Sequence, residues 1–196
     1  MAAGSRRLRA VLALLVLACA FLTTACGDPR VDGHRLYTQR KGVARFSFEY
    51  SDKYVKDRDD TSGSVTSVLF TRTYREADSA SSFTFFIAGV GVYAKSAHVY
   101  LEQELADAQN NAPDFKLLYI SGLDVAGVTG TQLVYTYRRL PPPDWGGSRE
   151  SWAVVKKVFF ETDGVIWEIY LDAFADTAVA DMADFDHVLE TLRILH

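Results

Sequence analysis

Alternating hydrophobic and polar residues predict β-strands over most of this chain. In the segment 43–50, Phe46, Phe48 and Tyr50 fall on one face and polar residues fall on the other, as in a half-buried strand. Asp163-Gly164 lies between two β-rich runs, which is a strong hairpin signal. Runs rich in β-branched and aromatic residues predict the other strands at 64–74, 82–93, 115–120, 130–140, 151–161 and 165–172.

Two segments change from alternation to helical spacing. Ser96 is a suitable N-cap for a helix that ends before Pro113, and its apolar face would carry His98, Leu101, Leu105 and Ala108. A second helix is predicted at 177–192, with a buried stripe of Met182, Phe185, Leu189 and Leu192. Strands, a helix, antiparallel strands and a helix in this order predict an α+β fold, in which one antiparallel sheet packs against helices.

The first residues predict export. Three arginines precede a short apolar run at 10–22, and small residues then lead to Cys26 and a polar continuation. A Cys in this place indicates a bacterial lipoprotein, cleaved before Cys26 and acylated on its thiol; Cys19 is the alternative site, and a plain cleavable signal is the alternative class. We therefore predict a lipoprotein signal peptide at 1–25, a flexible tether at 26–40 and a single α+β domain at 41–196.

The net charge and the cysteine content narrow the range of possible partners and of interactions that stabilise the domain. Residues 1–25 carry three arginines and no acidic residue, so their removal changes the formal net charge from −4 to −7. That balance argues against nucleic acid as a partner and against docking onto anionic lipid by charge, so membrane attachment would come from the lipid on Cys26. With Cys26 acylated and Cys19 removed, the domain would have no disulfide and would depend on its core.

The chain resembles the PsbP-like domain family. The segment 46–54 reads F-S-F-E-Y-S-D-K-Y, similar to the opening strand of these domains, although Ser51 stands where the family usually has Pro and Tyr54 where Trp is common. The 122–137 stretch and the Asp163-Gly164 hairpin followed by a C-terminal helix also resemble the family. The resemblance implies an α/β/α sandwich. It also implies accessory proteins and not enzymes: extrinsic subunits of photosystem II, DcrB-type bacterial lipoproteins and a eukaryotic factor that binds the GTPase Ran.

Candidate chemistry is sparse, and we predict no enzyme, no cofactor and no metal site. Neither a serine-hydrolase elbow nor a phosphate-binding loop is present, and the four histidines form no metal-binding motif; they are His34, His98, His187 and His196. A hydrolase would need His98 or His187 to meet a carboxylate in a cleft. A loose calcium site at Asp57, Asp59 and Asp60 stays open, but a solvated turn is the preferred interpretation because the EF-hand Gly and Glu are missing.

The most distinctive loop is proline-rich and contains a tryptophan. It reads L-P-P-P-D-W-G-G at 140–147, and three prolines would stiffen it. We predict that Trp145, with Pro142 and Pro143, contacts a partner; Trp145 packed against the sheet edge is the alternative. The leading hypothesis is a lipid-anchored, extracytoplasmic accessory protein that contacts a membrane complex or envelope component. The alternative is a carrier of a small apolar ligand or lipid, in a sheet–helix cavity lined by Phe83, Phe85, Phe86, Trp152 and Trp167.

Overall fold

A computed structural model of the protein describes residues 30–31, 33–61, 65–75, 81–91, 96–139 and 151–195. Eleven strands and two helices lie in these ranges. They are β1 (Arg30–Val31), β2 (His34–Gln39), β3 (Arg45–Ser51), β4 (Val55–Asp60), β5 (Val65–Arg75), β6 (Ser81–Gly91), α1 (Ala97–Asn111), β7 (Lys116–Val125), β8 (Val128–Arg139), β9 (Ser151–Thr162), β10 (Val165–Phe174), α2 (Ala178–Thr191) and β11 (Arg193–Leu195).

The strands form two antiparallel sheets. The larger has seven strands in the order β4-β5-β6-β10-β9-β8-β7, and the smaller has four in the order β1-β2-β3-β11. The centre of the large sheet is the β9–β10 hairpin, whose turn residues Asp163 and Gly164 have φ values of 52° and 72°. Positive φ at both positions is the geometry that Asp-Gly favours in a two-residue hairpin, so the predicted hairpin is confirmed.

One face of the large sheet is covered by the small sheet and α2. Phe46 and Phe48 of β3 are buried in this layer together with Phe185 of α2. Trp167 of β10 is 1% exposed; its ring stacks on Phe160 at 5.4 Å between centroids and meets the Phe46 ring edge-on at 5.5 Å. These aromatic contacts join the two sheets into one core.

The opposite face is covered by α1. Ser96 caps this helix by accepting a hydrogen bond from the Val99 amide at 3.5 Å, as predicted. Leu101 and Ala108 are buried against large-sheet residues from β8 and β9: Leu133, Tyr135, Val155 and Phe159. His98 is exposed on the surface of this helix. The layers confirm the predicted fold class, an antiparallel sheet packed against helices on both faces.

The ordered domain begins earlier than predicted. The flexible tether was expected to run to residue 40, but residues 34–39 form β2, which pairs with β3 along its full length. This segment is ordered because its inward-facing side chains have a hydrogen-bond acceptor. Tyr37 and Gln39 are buried, and both donate hydrogen bonds to Asp59, at 3.0 and 2.8 Å. The polar sequence of residues 34–39 does not by itself indicate that Asp59 lies next to them.

Two further strands were not predicted from the pattern. Residues 55–60 were interpreted as a solvated turn, yet they form β4, an exposed and charged edge strand of the large sheet. Charged residues are the usual protection of such an edge. The three residues of β11 follow α2 and pair with β3, which completes the small sheet. Both strands owe their conformation to the neighbour that they pair with.

A buried carboxylate ties α2 to the rest of the domain. Asp181 is fully buried and accepts hydrogen bonds from the Tyr54 hydroxyl (3.1 Å), the Arg72 guanidinium (3.0 Å) and the Thr177 hydroxyl (2.7 Å). These donors come from the β3–β4 connection, from β5 and from the start of α2. One side chain therefore joins three separate parts of the fold through charge-assisted bonds.

We predict that Asp181→Ala lowers the free energy of unfolding by about 2–4 kcal/mol, because the Tyr54 and Thr177 hydroxyls each lose a hydrogen bond and the partly buried Arg72 guanidinium keeps Asp184 but loses its nearer carboxylate. Urea denaturation measures the loss. The matched control is Lys53→Ala, which removes a half-exposed ion-pair partner of Asp184 at 3.6 Å and should cost about 1 kcal/mol or less. Equal losses for the two variants would contradict the role given to Asp181.

Candidate functional site

The strands locate both ends of the proline-rich loop. Arg139 ends β8, Ser151 begins β9, and these two residues are paired in the large sheet. The segment 140–150 therefore leaves and re-enters the sheet at the same point. The site residues predicted from the sequence themselves lie outside the described residues; they are Cys26, Pro142, Pro143 and Trp145.

A group of polar and aromatic side chains surrounds this point. Arg139 forms an ion pair with Asp172 of β10, and its guanidinium lies over the Phe174 ring at 4.5 Å from the centroid. The Tyr137 hydroxyl donates to the other Asp172 carboxylate oxygen at 3.0 Å. We call these residues, with Trp152, the loop base; Trp152 is next to Ser151 in β9, and by strand alternation its side chain lies on the opposite face of the sheet from those of Arg139 and Asp172. Its arginine is held by both a carboxylate and a ring, so the strand end from which the loop departs is well anchored.

Trp152 is the exposed aromatic residue of the loop base. Its side chain is 50% exposed, although its backbone carbonyl accepts a hydrogen bond from the Ala175 amide at 2.9 Å. A large aromatic side chain on a fixed backbone is a typical contact residue of a protein interface. The hypothesis that Trp152 and Trp167 line one cavity does not fit, since Trp152 is at the surface and Trp167 is in the core. The side chains of Phe83, Phe85 and Phe86 lie outside the described part of the structure.

Deeper on the sheet face of Arg139 and Asp172, one lysine serves two carboxylates. Lys157 of β9 pairs with Glu104 of α1 and with Glu168 of β10, the latter at 3.2 Å. The Lys157 ammonium also lies 4.9 Å from the centroid of the Tyr170 ring. We call these four residues the lysine cluster. It connects α1 to the two central strands by charge as well as by packing.

Burial changes the pKa values of the ionisable groups in the lysine cluster and the loop base. Burial raises the pKa of Glu168 above its ordinary 4.5, and the nearby Lys157 charge offsets the shift only in part. Burial alone would lower the pKa of Lys157, but the carboxylates of Glu168 and Glu104 outweigh it, so that pKa is raised. Burial also raises the pKa of Tyr170 to about 12 and that of Asp172 above 3.8, the latter against the opposing charge of Arg139.

Sequence reasoning found only part of this arrangement. Glu168 and Asp172 lie on one face of β10, as their even spacing in the strand indicates. Their partners Lys157, Glu104 and Arg139 come from a neighbouring strand, a helix and a second strand. The sequence did contain one signal: Glu168, Tyr170 and Asp172 alternate with apolar residues in β10. This alternation indicates that polar side chains of other elements lie on the same face of the sheet.

The histidines meet carboxylates without forming a cleft. His98 lies 3.3 Å from Glu102 on the exposed surface of α1. His187 of α2 is half-buried, 3.1 Å from Glu49 of β3, and its ring centroid is 4.1 Å from that of His34. His34 was expected in the solvated tether; it lies instead at the start of β2. Neither histidine lines the clefts described below, so the geometry required for a hydrolase is not met there.

The acidic residues at 57–60 are part of a strand and not of a turn. Asp59 is engaged by Tyr37, by Gln39 and by Lys56 at 3.3 Å, so its oxygens already have donors. Within the described residues no group of three or more His, Cys, Asp or Glu side chains is arranged to hold a metal ion. No helix in the described ranges is long and apolar enough to span a membrane.

Two clefts lie on either side of β11, at the end of the domain that carries the Asp163-Gly164 turn. The larger has a volume of about 600 Å³ and has Asp124, Glu190 and Arg193 in its wall. The smaller has a volume of about 250 Å³ and is lined by Trp167 and by apolar residues of three strands or their flanks. Thr162 and Ile194 line both. Neither is a closed apolar cavity between sheet and helix, the feature that a carrier of that type would need.

We predict that Glu168→Gln becomes more stable relative to the native protein as the pH rises from 4 to 7. The folded state holds the Glu168 proton more tightly than the unfolded state does. Its contribution to stability is therefore complete below pH 4.5 and is lost as the pH rises through the raised folded pKa. The glutamine amide does not ionise in this pH range, so the variant does not lose stability in this way. Urea titrations at several pH values measure it, with exposed Glu161→Gln as the control; parallel pH profiles for the native protein and Glu168→Gln would refute it.

The chain matches no family model and no curated protein. Its fold is nevertheless found in solved structures. LpqN of Mycobacterium tuberculosis, involved in cell envelope biogenesis, is 14% identical with a TM-score of 0.54, over 84% of this chain and 93% of its own. Cyanobacterial PsbP (CyanoP) of Synechocystis sp. PCC 6803 is 16% identical with a TM-score of 0.52, over 87% of this chain and 98% of its own. With its antiparallel sheets and two covering helices, this chain has the PsbP-like fold.

Proposed function

We propose that this protein is a lipid-anchored, extracytoplasmic accessory protein, not an enzyme, that binds a membrane complex or envelope component with its loop base and the 140–150 loop. The observation that carries the proposal is the loop base itself. Arg139 and Ser151 are paired in the large sheet, so both ends of the proline-rich segment 140–150 lie at one point, and half-exposed Trp152 is next to Ser151. Binding residues typically lie on loops that a rigid scaffold positions.

The electrostatics of the loop base favour a contact surface over a catalytic one. Arg139 is engaged by Asp172, by Tyr137 and by the Phe174 ring, so its charge is already compensated. Trp152 is left as the side chain with the most apolar surface to bury against a partner. An exposed aromatic residue at a strand end without uncompensated charge is compatible with a protein interface.

The lipid anchor would hold this domain close to the bilayer. Only three residues lie between Cys26 and Arg30, where β1 begins, and a fully extended chain spans about 14 Å from one to the other. The tether is therefore much shorter than the sequence pattern suggested. Confinement at this distance raises the effective concentration of the domain toward a membrane partner, which is the mechanism that we propose for its accessory role.

The neighbours in fold agree with this class of function. LpqN is involved in cell envelope biogenesis, and CyanoP is a cyanobacterial PsbP. At such low identity these proteins share the fold with this chain, and a fold alone does not transfer a partner. They support the proposal as examples of the fold in an envelope protein and in a PsbP.

We predict that Cys26→Ser moves the protein from the membrane fraction into the soluble fraction, because the acyl chains would have no attachment site. Detergent phase partitioning after cell lysis is the measurement. Cys19→Ser is the matched control and should leave the protein in the detergent phase. Retention of Cys26→Ser in that phase, or release by Cys19→Ser, would remove Cys26 from its role.

We predict that Trp145→Ala and Trp152→Ala each reduce the recovery of a cross-linked partner from native membranes several-fold. Both changes remove aromatic surface from the proposed interface, and both should leave the melting temperature nearly unchanged. Val179→Ala is the control, since Val179 is 87% exposed on α2. Unchanged recovery with both tryptophan variants would refute the interface. A loss of several degrees in melting temperature for Trp145→Ala would place that residue in the core instead.

A further inference from the structure

One edge of the large sheet is apolar and lacks the usual protection. β7 is the last strand at that edge in the part of the chain that the structure describes. Four consecutive large apolar side chains in this strand are between 39% and 47% exposed; they are Leu117, Leu118, Tyr119 and Ile120. The strand at the opposite edge, β4, consists of one valine and five charged residues, which discourage pairing with another strand. The β7 edge has no such barrier along its centre, so another strand can pair with it.

The backbone of β7 also has hydrogen-bonding groups that face outward. The β7–β8 hairpin turns at Ala126-Gly127, where φ is 52° and 79°, so Val125 and Val128 flank a two-residue turn. Residues that flank such a turn are hydrogen-bonded to each other, and in an antiparallel pair every second residue then bonds to the same neighbour. The N–H and C=O groups of Ile120 and Gly122 therefore point away from β8 and toward the open edge.

The side chains of β7 are complementary to those of a second β7 that runs antiparallel to it. When Ile120 lies opposite Ile120 of the second copy, Leu118 lies opposite Gly122 and Tyr119 lies opposite Ser121. Each large side chain then meets a small one, which leaves room for it on its face of the sheet. A second copy of this strand therefore fits the edge in one particular register.

The charges of β7 suit a second copy in the same register. Lys116 at the start and Asp124 near the end are the two charged residues of this strand, and both are exposed. Antiparallel pairing centred on Ile120 brings the lysine of each copy to the end where the other copy has its aspartate. Symmetry makes two such meetings of opposite charges, whereas parallel pairing in register would bring like charges together.

From these observations we propose that the protein self-associates through β7, which pairs antiparallel with β7 of a second copy about a two-fold axis at Ile120. The two Ile120 residues exchange both backbone hydrogen bonds across the axis, and the two large sheets become one. Leu117 and Ile120 are paired with Tyr135 and Leu133 of β8, which face α1. Because the axis is perpendicular to the sheet, the α1 helices of both copies lie on the same side of it.

The contact is small, so the dimer is weak and reversible. A strand of ten residues is about 33 Å long, and a bulge beside β8 interrupts β7 between Leu117 and Tyr119. An interface of one strand pair lies below the area of stable dimers, and we expect a dissociation constant on the order of 10–100 µM. This surface does not include Trp152, and the proposal does not depend on the function proposed above.

The first test is a disulfide at the proposed axis, in the full chain in a neutral detergent. Cys19 and Cys26 are replaced by Ser, so that Ile120→Cys supplies the only thiol. Opposite residues of paired strands have Cα atoms about 5.5 Å apart, a distance that a disulfide can span. With copper-phenanthroline as the oxidant, we expect Ile120→Cys to form the covalent dimer at least several-fold faster than Val55→Cys. Val55 is the matched control, since it is an exposed apolar residue of the other edge strand, β4.

The second test measures association by sedimentation equilibrium from about 10 to 500 µM protein. Ile120→Lys puts two like charges at the axis and should abolish the dimer, with the melting temperature nearly unchanged because the side chain is exposed. Val55→Lys is the control and should dimerise as the native chain does. Lys116→Glu should weaken the dimer about threefold to tenfold, and adding Asp124→Lys to it should restore the native affinity.

Four results would overturn the proposal. They are equal cross-linking rates for Ile120→Cys and Val55→Cys, a native chain that stays monomeric over the whole concentration range, a dimer that Ile120→Lys leaves intact, and a double charge exchange that restores nothing. Cross-linking in cells adds one more: if Ile120→Cys is captured only by a different protein, the edge receives a foreign strand and not a second copy.

Discussion

Burial of both faces of the β9–β10 hairpin is the constraint on which the rest of this structure depends. One face presents Trp167, Ile169 and Leu171, and the other presents Phe159 and Val155. A hairpin that is apolar on both sides is stable only when a layer covers each side. The small sheet with α2 supplies one layer and α1 supplies the other, so each remaining element has its place relative to these two strands.

The polar residues of the central strands follow from the same constraint. Lys157, Glu168 and Asp172 lie on the covered α1 face, where an unpaired charge would be costly. Lys157 pairs with Glu168 and with Glu104 of the covering helix, and Asp172 pairs with Arg139 of β8. The result is a fixed, compensated surface from which the 140–150 loop departs.

Function is separated from the fold in this architecture. The chain shares its fold with LpqN and CyanoP at identities of 14% and 16%, so the layers persist while nearly all side chains differ. Core positions need only be apolar and of suitable volume, which many sequences satisfy. The loops, the strand ends and the cleft walls can vary without loss of these layers.

The sequence by itself determined the local elements of this protein. The alternation around Phe46 and Phe48, the Asp163-Gly164 turn, the Ser96 cap and the stripe at Phe185 and Leu189 were all readable, because period, turn chemistry and capping act over a few residues. The resemblance to PsbP-like domains also predicted the layered fold. Only the tertiary structure decided that residues 34–39 and 55–60 are strands, that a second small sheet exists, and that Lys157, Glu104 and Glu168 meet. Each of these depends on partners that are distant along the chain, and a polar segment gives no local sign of which neighbour will supply its hydrogen bonds.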